Sequence, residues 1–127
     1  MKPSRAKRPR SPRSLAVTES FKTFVLDQLE ELGDVTSRAM FGGVGLYRRG
    51  VFFGIMARDV LYLKVDDSSR KEYIRHGMKP FQPYSARPTT MRYYEMPLSV
   101  LESATELARW ARKAVQVGAQ RAGELES

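Results

Sequence analysis

The cluster Gly42-Gly43-Val44-Gly45 is the group of residues in this sequence best suited to holding a phosphate. A dinucleotide-binding loop counted from Gly43 needs a further glycine at the position of Arg48, and it must open a helix rather than continue a strand. A P-loop is also excluded, because no Gly-Lys-Ser/Thr follows. We therefore interpret these glycines as residues that let a strand bend or another chain pass closely.

Candidates for acid–base or metal chemistry are few. His76 is the only histidine and the chain has no cysteine, which excludes a histidine cluster and a thiolate site. Asp66-Asp67 could be a metal or acid–base pair, but adjacent carboxylates before a helix are more typical of N-caps. The sequence thus predicts no catalytic, cofactor-binding or metal-binding residues, and a protein that is not an enzyme.

A third group of residues could bind single-stranded nucleic acid by stacking and charge neutralisation. It combines cations with aromatic residues, namely Lys79, Arg87 and Arg92 with Phe81, Tyr84, Tyr93 and Tyr94. The same composition is ordinary for edge strands with cationic margins, which is the interpretation we favour. The run Arg49–Ile55 also resembles the stacking strand of an RNA-recognition motif, but Val51 stands where an aromatic residue is required. Its aromatic residues are better explained as core and cross-strand pairs.

The positive charge of the chain is concentrated near its N-terminus. The chain carries a net charge of +8, from 22 basic and 14 acidic residues. Subtracting the six cations of residues 1–14 leaves 16 basic against 14 acidic residues, about +2. These six cations are Lys2, Arg5, Lys7, Arg8, Arg10 and Arg13. We expect residues 1–16 to be a disordered basic tail that either binds nucleic acid weakly or only aids solubility.

Hydrophobic periodicity predicts a helix followed by several strands. The helix is capped by Thr18 or Ser20, carries an apolar stripe and ends before Gly33. Residues 37–41 and 44–47 are interpreted as one long strand, bent at Gly42-Gly43. Tight turns at Arg49-Gly50 and Arg58-Asp59 then lead into strands over residues 51–57 and 60–65.

The second half of the chain continues with a helix, two strands and a helix. Residues 66–69 offer several N-caps, with Ser69 and Glu72 at capping-box spacing, for a short helix that ends near His76. Strands are predicted over residues 79–84 and 89–96. The last helix begins at Ser99 or Ser103 and ends near Val117, followed by a frayed tail over 118–127.

This order, α-β-β-β-α-β-β-α, predicts an α+β fold with two layers, in which helices cover one face of an antiparallel sheet over residues 17–117. No stretch approaches the roughly 18 apolar residues of a transmembrane helix, so we expect no membrane partner. The absence of cysteine fits a reducing cytoplasm.

Several spaced motifs resemble the TfoX N-terminal domain family. Arg38-Ala39-Met40-Phe41-Gly42-Gly43-Val44-Gly45 is similar to the Arg-x-Met-Phe-Gly-Gly-x-Gly opening of that domain, and later matches follow in the same order over roughly residues 18–117. The resemblance implies a secretion-chaperone-like fold. It further implies structural roles for the motif positions Arg38, Met40, Phe41, Gly42, Gly43, Gly45, Tyr62, Lys64, Tyr94 and Trp110.

The family also suggests a function. Its namesake regulates competence genes for DNA uptake together with a cyclic-AMP receptor-type activator, and it carries a second, C-terminal helical domain that we expect this chain to lack. We therefore expect a bacterial, cytoplasmic, non-enzymatic regulatory or adaptor domain whose partner is a protein, for example transcription machinery. Contacts would use the uncovered sheet face or an edge strand, which could also pair in a homodimer. The alternative is weak, sequence-independent nucleic-acid binding through the tail.

Overall fold

The computed structural model describes residues 15–40, 42–82 and 92–126, with side chains up to residue 120. The elements are α1 (Glu19–Gln28), β1 (Val35–Met40), β2 (Gly43–Arg48), β3 (Val51–Ala57), β4 (Val60–Lys64), α2 (Asp67–Arg75), β5 (Tyr93–Glu95), α3 (Leu98–Leu101) and α4 (Ala104–Glu126). The five strands form one antiparallel sheet in the order β1-β2-β3-β4-β5. The predicted α+β fold class is thereby confirmed.

Two of the connections between strands are the tight turns expected from the sequence. Arg49 and Gly50 have φ angles of 50° and 84°, and Arg58 and Asp59 have φ angles of 53° and 59°. Positive φ at both central residues is the pattern of type I′ turns, whose twist matches that of the flanking strands. The chain therefore reverses within two residues at each turn.

The prediction of one bent strand across Gly42-Gly43 is wrong. Gly42 has a φ of 87°, and the chain reverses there, so that β1 and β2 form a hairpin in which Met40 pairs with Gly43 and Val35 with Arg48. Gly43 does allow a close approach, because a Cβ at this position would lie 2.7 Å from the Met56 carbonyl oxygen. The hairpin raises the number of strands before α2 from the predicted three to four and makes β1 an edge of the sheet.

The two later strands are shorter than predicted. Within the described residues, β5 spans only three residues, and the segment 79–81 contributes a single bridge between Pro80 and Tyr94. Residues 83–91, which include the remainder of both predicted strands, lie outside the described residues.

All helices with contacts to the sheet pack on one face. The sheet supplies Leu46, Phe53, Met56, Leu61 and Leu63 to the core, all at most 1% exposed. Helix α4 supplies the small-residue stripe and comes closest at Gly118, where a Cβ would lie 2.5 Å from the Phe52 carbonyl oxygen. The missing side chain lets the helix rest on the strand backbone.

The helix ends correct the predicted boundaries. Helix α4 continues as helix to Glu126 rather than fraying after Val117. Its start is capped by the Ser103 hydroxyl, which accepts from the Glu106 N–H at 3.2 Å. Regular helix α1 already ends at Gln28, and turn residues lead on to Gly33, which has a φ of 82°.

Helix α2 begins with a capping box, but not the one at Ser69 and Glu72. The Asp66 carboxylate accepts from the Ser69 N–H at 2.8 Å, and the Ser69 hydroxyl accepts from the Asp66 N–H at 3.0 Å. Ser69 is thus the third helical residue rather than the cap. At the other end Gly77, with a φ of 75°, terminates the helix as expected.

Candidate interaction surfaces on the sheet

Strand alternation divides the side chains between two faces of the sheet. Leu46, Gly54, Leu63 and Tyr94 are cross-strand neighbours on the helix-covered face, and all four are buried. The opposite face, which we call the open face, bears mostly side chains that are exposed or half-buried, while Gly43, Gly45 and Ala57 on it are buried. Its described residues on the strands are Thr36, Arg38, Met40, Gly43, Gly45, Tyr47, Phe52, Ile55, Ala57, Val60, Tyr62, Lys64, Tyr93 and Glu95.

One line of contacts crosses the whole open face, with one residue from each strand. The Arg38 guanidinium lies 5.9 Å from the centroid of the Tyr47 ring, and this ring lies 5.1 Å from that of Phe52. The Lys64 ammonium lies 5.3 Å from the Phe52 centroid and 5.5 Å from that of Tyr93. We call Arg38, Tyr47, Phe52, Lys64 and Tyr93 the cross-sheet row. Each of its two cations lies over a ring face, which attracts positive charge.

A second aromatic pair extends the open face towards β5. The rings of Tyr62 and Phe81 have centroids 4.7 Å apart. Burial, and secondarily the negative charge of Glu95, raises the pKa of the Tyr62 phenol, while Arg58 opposes the shift. Tyr62 therefore stays neutral on this face at ordinary pH and offers a phenol as well as a ring.

Gly45 has no side chain on the open face, and neighbouring side chains fill the space above it. A Cβ built there would lie 2.8 Å from the Met40 sulfur and 3.1 Å from Cε1 of Phe52. The Met40 and Phe52 side chains therefore cover the glycine from two sides. Gly45 of the motif therefore has a packing role, because only a residue without a side chain leaves room for these two neighbours.

The two edges of the sheet differ. Along β5, the Phe81 N–H donates to the Tyr93 carbonyl at 2.8 Å, and the Glu95 N–H donates to the Lys79 carbonyl at 2.9 Å. The segment 79–81 thus covers that edge. Strand β1 pairs with β2 over six consecutive residues, and the described part of the chain places no strand on its other side.

A cleft of about 200 Å³ lies between α2 and α4, beside the end of β4. The Tyr73 and Trp110 rings line it and meet edge to face with centroids 4.8 Å apart, and burial raises the pKa of the Tyr73 phenol. Of its three cations, Arg109 binds Glu106 at 2.8 Å, Lys113 lies 3.6 Å from Asp66, and Lys64 has its ammonium over the Phe52 and Tyr93 rings. These pairs tie neighbouring turns and the two helices together.

The segment before α1 is fastened to the turn between β3 and β4. The Thr18 N–H and hydroxyl donate to the two carboxylate oxygens of Asp59 at 2.8 and 3.0 Å, and the Arg58 N–H donates to the Leu15 carbonyl at 3.3 Å. Leu15 is 5% exposed and packs at the Gly42-Gly43 end of the sheet. Residues 1–14, which carry the six cations, lie outside the described residues.

Within residues 15–40, 42–82 and 92–126, no three histidine, cysteine or acidic side chains come together in a way that could hold a metal ion. In the same residues, no helix combines the length and apolar character needed to cross a bilayer.

Comparison with known protein families gives a match over most of the chain. The TfoX N-terminal domain matches residues 27–118, which is most of the 127-residue chain. The chain belongs to the TfoX N-terminal domain family. No curated protein matches it significantly.

The family's motif positions separate into three groups in the structure. Four positions bear side chains on the open face, namely Arg38, Met40, Tyr62 and Lys64. Tyr94 and Trp110 are buried in the core, and the glycines serve turns or close approaches. Phe41 lies outside the described residues, as do the tail cations. The structure thus brings Arg38 and Lys64 into one row, although 25 sequence positions separate them.

Sequence reasoning missed the other members of the row, Tyr47, Phe52 and Tyr93, as a common surface. The available signal was the alternation along each strand. It was obscured because residues 37–47 were interpreted as one bent strand, which hides the fact that Arg38 and Tyr47 lie on neighbouring strands.

Proposed function

We propose that this member of the TfoX N-terminal domain family is a non-enzymatic regulatory adaptor that binds a protein partner along strand β1. The partner would add an extended segment to the sheet, with backbone hydrogen bonds supplying affinity and side-chain pockets supplying specificity. The observation that carries this proposal is the difference between the two edges: residues 79–81 cover one, and among the described residues no strand lies beside the other.

Strand β1 has few of the devices by which proteins protect a sheet edge. Such devices include prolines, bulges, a covering segment and several charges. The strand Val35–Met40 contains no proline, its register with β2 is unbroken over six residues, and Arg38 is its one charged residue. An edge of this length offers a regular row of backbone groups to a second chain.

The regulatory part of the proposal is supported by family membership, since the family takes its name from a regulator of competence genes. The non-enzymatic part is supported by the described cleft, where Arg109 and Lys113 already have carboxylate partners. The adaptor would act in the bacterial cytoplasm, and its protein partner would belong to the transcription machinery.

Site-specific photo-crosslinking in the cell of origin tests the edge. A benzoylphenylalanine is placed at Ala39, which is exposed on β1, and in a control protein at Ala119, which is exposed on α4. We expect one protein adduct, identified by mass spectrometry, from position 39 and none from position 119. An adduct to a second copy of the chain would identify the partner as a homodimer.

A matched pair of substitutions links the contact to regulation. Ala39→Lys adds a charge at the edge, and Ala119→Lys adds the same charge on the helix. In a strain that lacks the gene for this protein, we measure the transcripts whose levels change on deletion. The wild type and Ala119→Lys should restore these levels, and Ala39→Lys should not. Equal restoration by both variants, or adducts from position 39 to nucleic acid only, would contradict the adaptor proposal.

A second candidate function is weak nucleic-acid binding through the tail, favoured by the segregation of six of the cations into residues 1–14. Neutralising up to six phosphates of duplex DNA gives a slope of log affinity against log salt of up to about −5. Replacing the six cations by glutamine in the full chain should flatten that slope. An unchanged slope would show that the tail cations do not contact the phosphates.

A further inference from the structure

We propose that the cross-sheet row is a binding site for single-stranded nucleic acid. Bases would stack on the rings of Tyr47, Phe52 and Tyr93, and phosphates would approach Arg38 and Lys64. This function is separate from the strand-addition edge, because it uses side chains on the open face and not the backbone groups of β1.

The geometry of the row suits a strand lying across the sheet. Each of the five β-strands supplies one member, and neighbouring strands lie about 4.8 Å apart, so the row spans roughly 19 Å. Consecutive members are 5.1 to 5.9 Å apart, measured between ring centroids or from a cation to a centroid. The order along the row is cation, ring, ring, cation, ring, so a strand lying across the sheet would meet both aromatic surfaces and positive charges.

The charge of the open face complements a polyanion. Among its described strand residues, Arg38 and Lys64 are basic and only Glu95 is acidic. The Lys64 ammonium lies 5.3 and 5.5 Å from the centroids of Phe52 and Tyr93, and these two rings lie 5.8 Å apart, so a phosphate that approached Lys64 would lie beside both rings. Base–aromatic stacking tolerates any sequence, since every base has a π-face.

Single strands fit the site better than duplexes or acidic proteins. Stacking requires unpaired bases, and the open face of a sheet presents no element that enters a groove. An acidic protein segment would pair with the two cations but would leave three partly exposed aromatic rings without a matching group. The rings thus decide between the two polyanions.

The anchoring of the N-terminal segment adds to this arrangement. Leu15 is held at the Gly42-Gly43 end of the sheet by burial and by the Arg58 N–H. Residues 1–14, which carry six cations, precede Leu15 in the chain and lie outside the described residues. They would raise affinity for any nucleic acid, whereas the row would supply the preference for single strands.

Fluorescence anisotropy of the full-length protein with a labelled oligothymidine of about 12 nucleotides tests the site, since such surfaces cover this range. We expect Tyr47→Leu and Tyr93→Leu each to weaken binding about tenfold, the loss typical of one stacked base. Lys64→Gln should weaken binding and reduce the salt slope by about one. Phe24→Leu, at an aromatic residue 40% exposed on α1, and Lys71→Gln on α2 are the matched controls and should bind as the wild type does.

Ultraviolet crosslinking followed by peptide mapping identifies the contact directly. We expect nucleotide adducts on the peptides that contain Phe52 or Tyr93, and thermal melts should show that the leucine variants are folded. The site is refuted if a duplex of the same length binds equally well, if the leucine variants bind as the controls do, or if adducts are confined to residues 1–14. Poly-glutamate is also tested as a competitor of the oligothymidine. If it displaces the oligonucleotide from the wild type but not from the leucine variants, the row would instead bind an acidic protein.

Discussion

The two faces of the sheet are built from alternate residues of the same strands, yet they use different chemistry. On the helix-covered face, Leu46, Leu63 and Tyr94 leave no more than 7% of their surfaces exposed, and glycine at position 54 makes room for a neighbour. On the open face, rings lie beside rings and cations lie over rings. Close packing of buried apolar side chains stabilises the first face. Pairwise contacts between large, partly exposed side chains stabilise the second.

This difference predicts where substitutions should act. A buried face without spare volume loses stability when a side chain is shortened or lengthened. Side chains on a half-exposed face border solvent and flexible neighbours. A change in side-chain size there should therefore cost less stability. We expect the largest effects at Leu63 and Gly54 on the buried face, a smaller one at the N-cap of α2, and the smallest at Lys64 on the open face.

Leu63→Ala should destabilise the fold by about 2–5 kcal/mol, because it leaves a cavity under the helices. Leu63 is fully buried on β4, whereas Ile55 lies on the open face and is half-buried. Ile55→Ala is the comparison variant and should cost clearly less. Urea denaturation followed by circular dichroism measures both free energies of unfolding. Equal losses would refute the distinction between the faces.

Gly54→Ala should destabilise by about 1–3 kcal/mol, the usual cost of overpacking. The new Cβ would lie 2.8 Å from Cδ2 of Leu63 and 3.0 Å from the Tyr62 carbonyl oxygen, which belongs to the backbone and cannot turn aside. Gly45→Ala on the open face meets mainly the flexible end of Met40, and it should cost less. A larger loss for Gly45→Ala in thermal melts would contradict this account.

Asp66→Ala should cost about 1 kcal/mol at neutral pH, because it removes the N-cap of α2. The hydrogen bond from the Ser69 N–H is the main cause that lowers the pKa of Asp66 from 3.8 to about 2. The carboxyl is about a third exposed, at 34%, so solvent screens its ionic contacts.

The sign of the pH dependence follows from the lowered pKa of Asp66. The folded state binds the Asp66 proton more weakly than the unfolded state, so the stabilisation is present above about pH 4 and is lost as pH falls towards 2. The difference in unfolding free energy between wild type and Asp66→Ala should shrink over that interval. A difference that is constant from pH 6 to pH 2 would exclude the charge as its source.

Lys64→Gln should change stability by no more than about 1 kcal/mol, the usual size of an exposed cation–π contact. The same variant is expected to weaken single-strand binding, so the two measurements separate folding from recognition. A loss of several kcal/mol would show that the cross-sheet row is structural, and it would place Lys64 with the core rather than with the open face.

Local features were predictable where neighbouring residues alone decide them. Two positive-φ residues make each tight turn at Arg49-Gly50 and Arg58-Asp59, and Gly77 ends α2. Prediction failed where two local solutions were equally good. Both Asp66 and Ser69 suit an N-cap, and Gly42 fits a bend as well as a reversal, so that packing of the flanking segments decided between them.

The sequence by itself determined the elements of an α+β domain, its family, and the separation of a basic tail from a nearly neutral fold. These properties depend on composition, on periodicity and on motifs a few residues long. Only the tertiary structure decided that β1 is an edge, that residues 79–81 cover the opposite edge, and that Arg38, Tyr47, Phe52, Lys64 and Tyr93 meet in one row. Strand order and register bring these residues together across the sheet, and neither can be obtained from the pattern within any one strand.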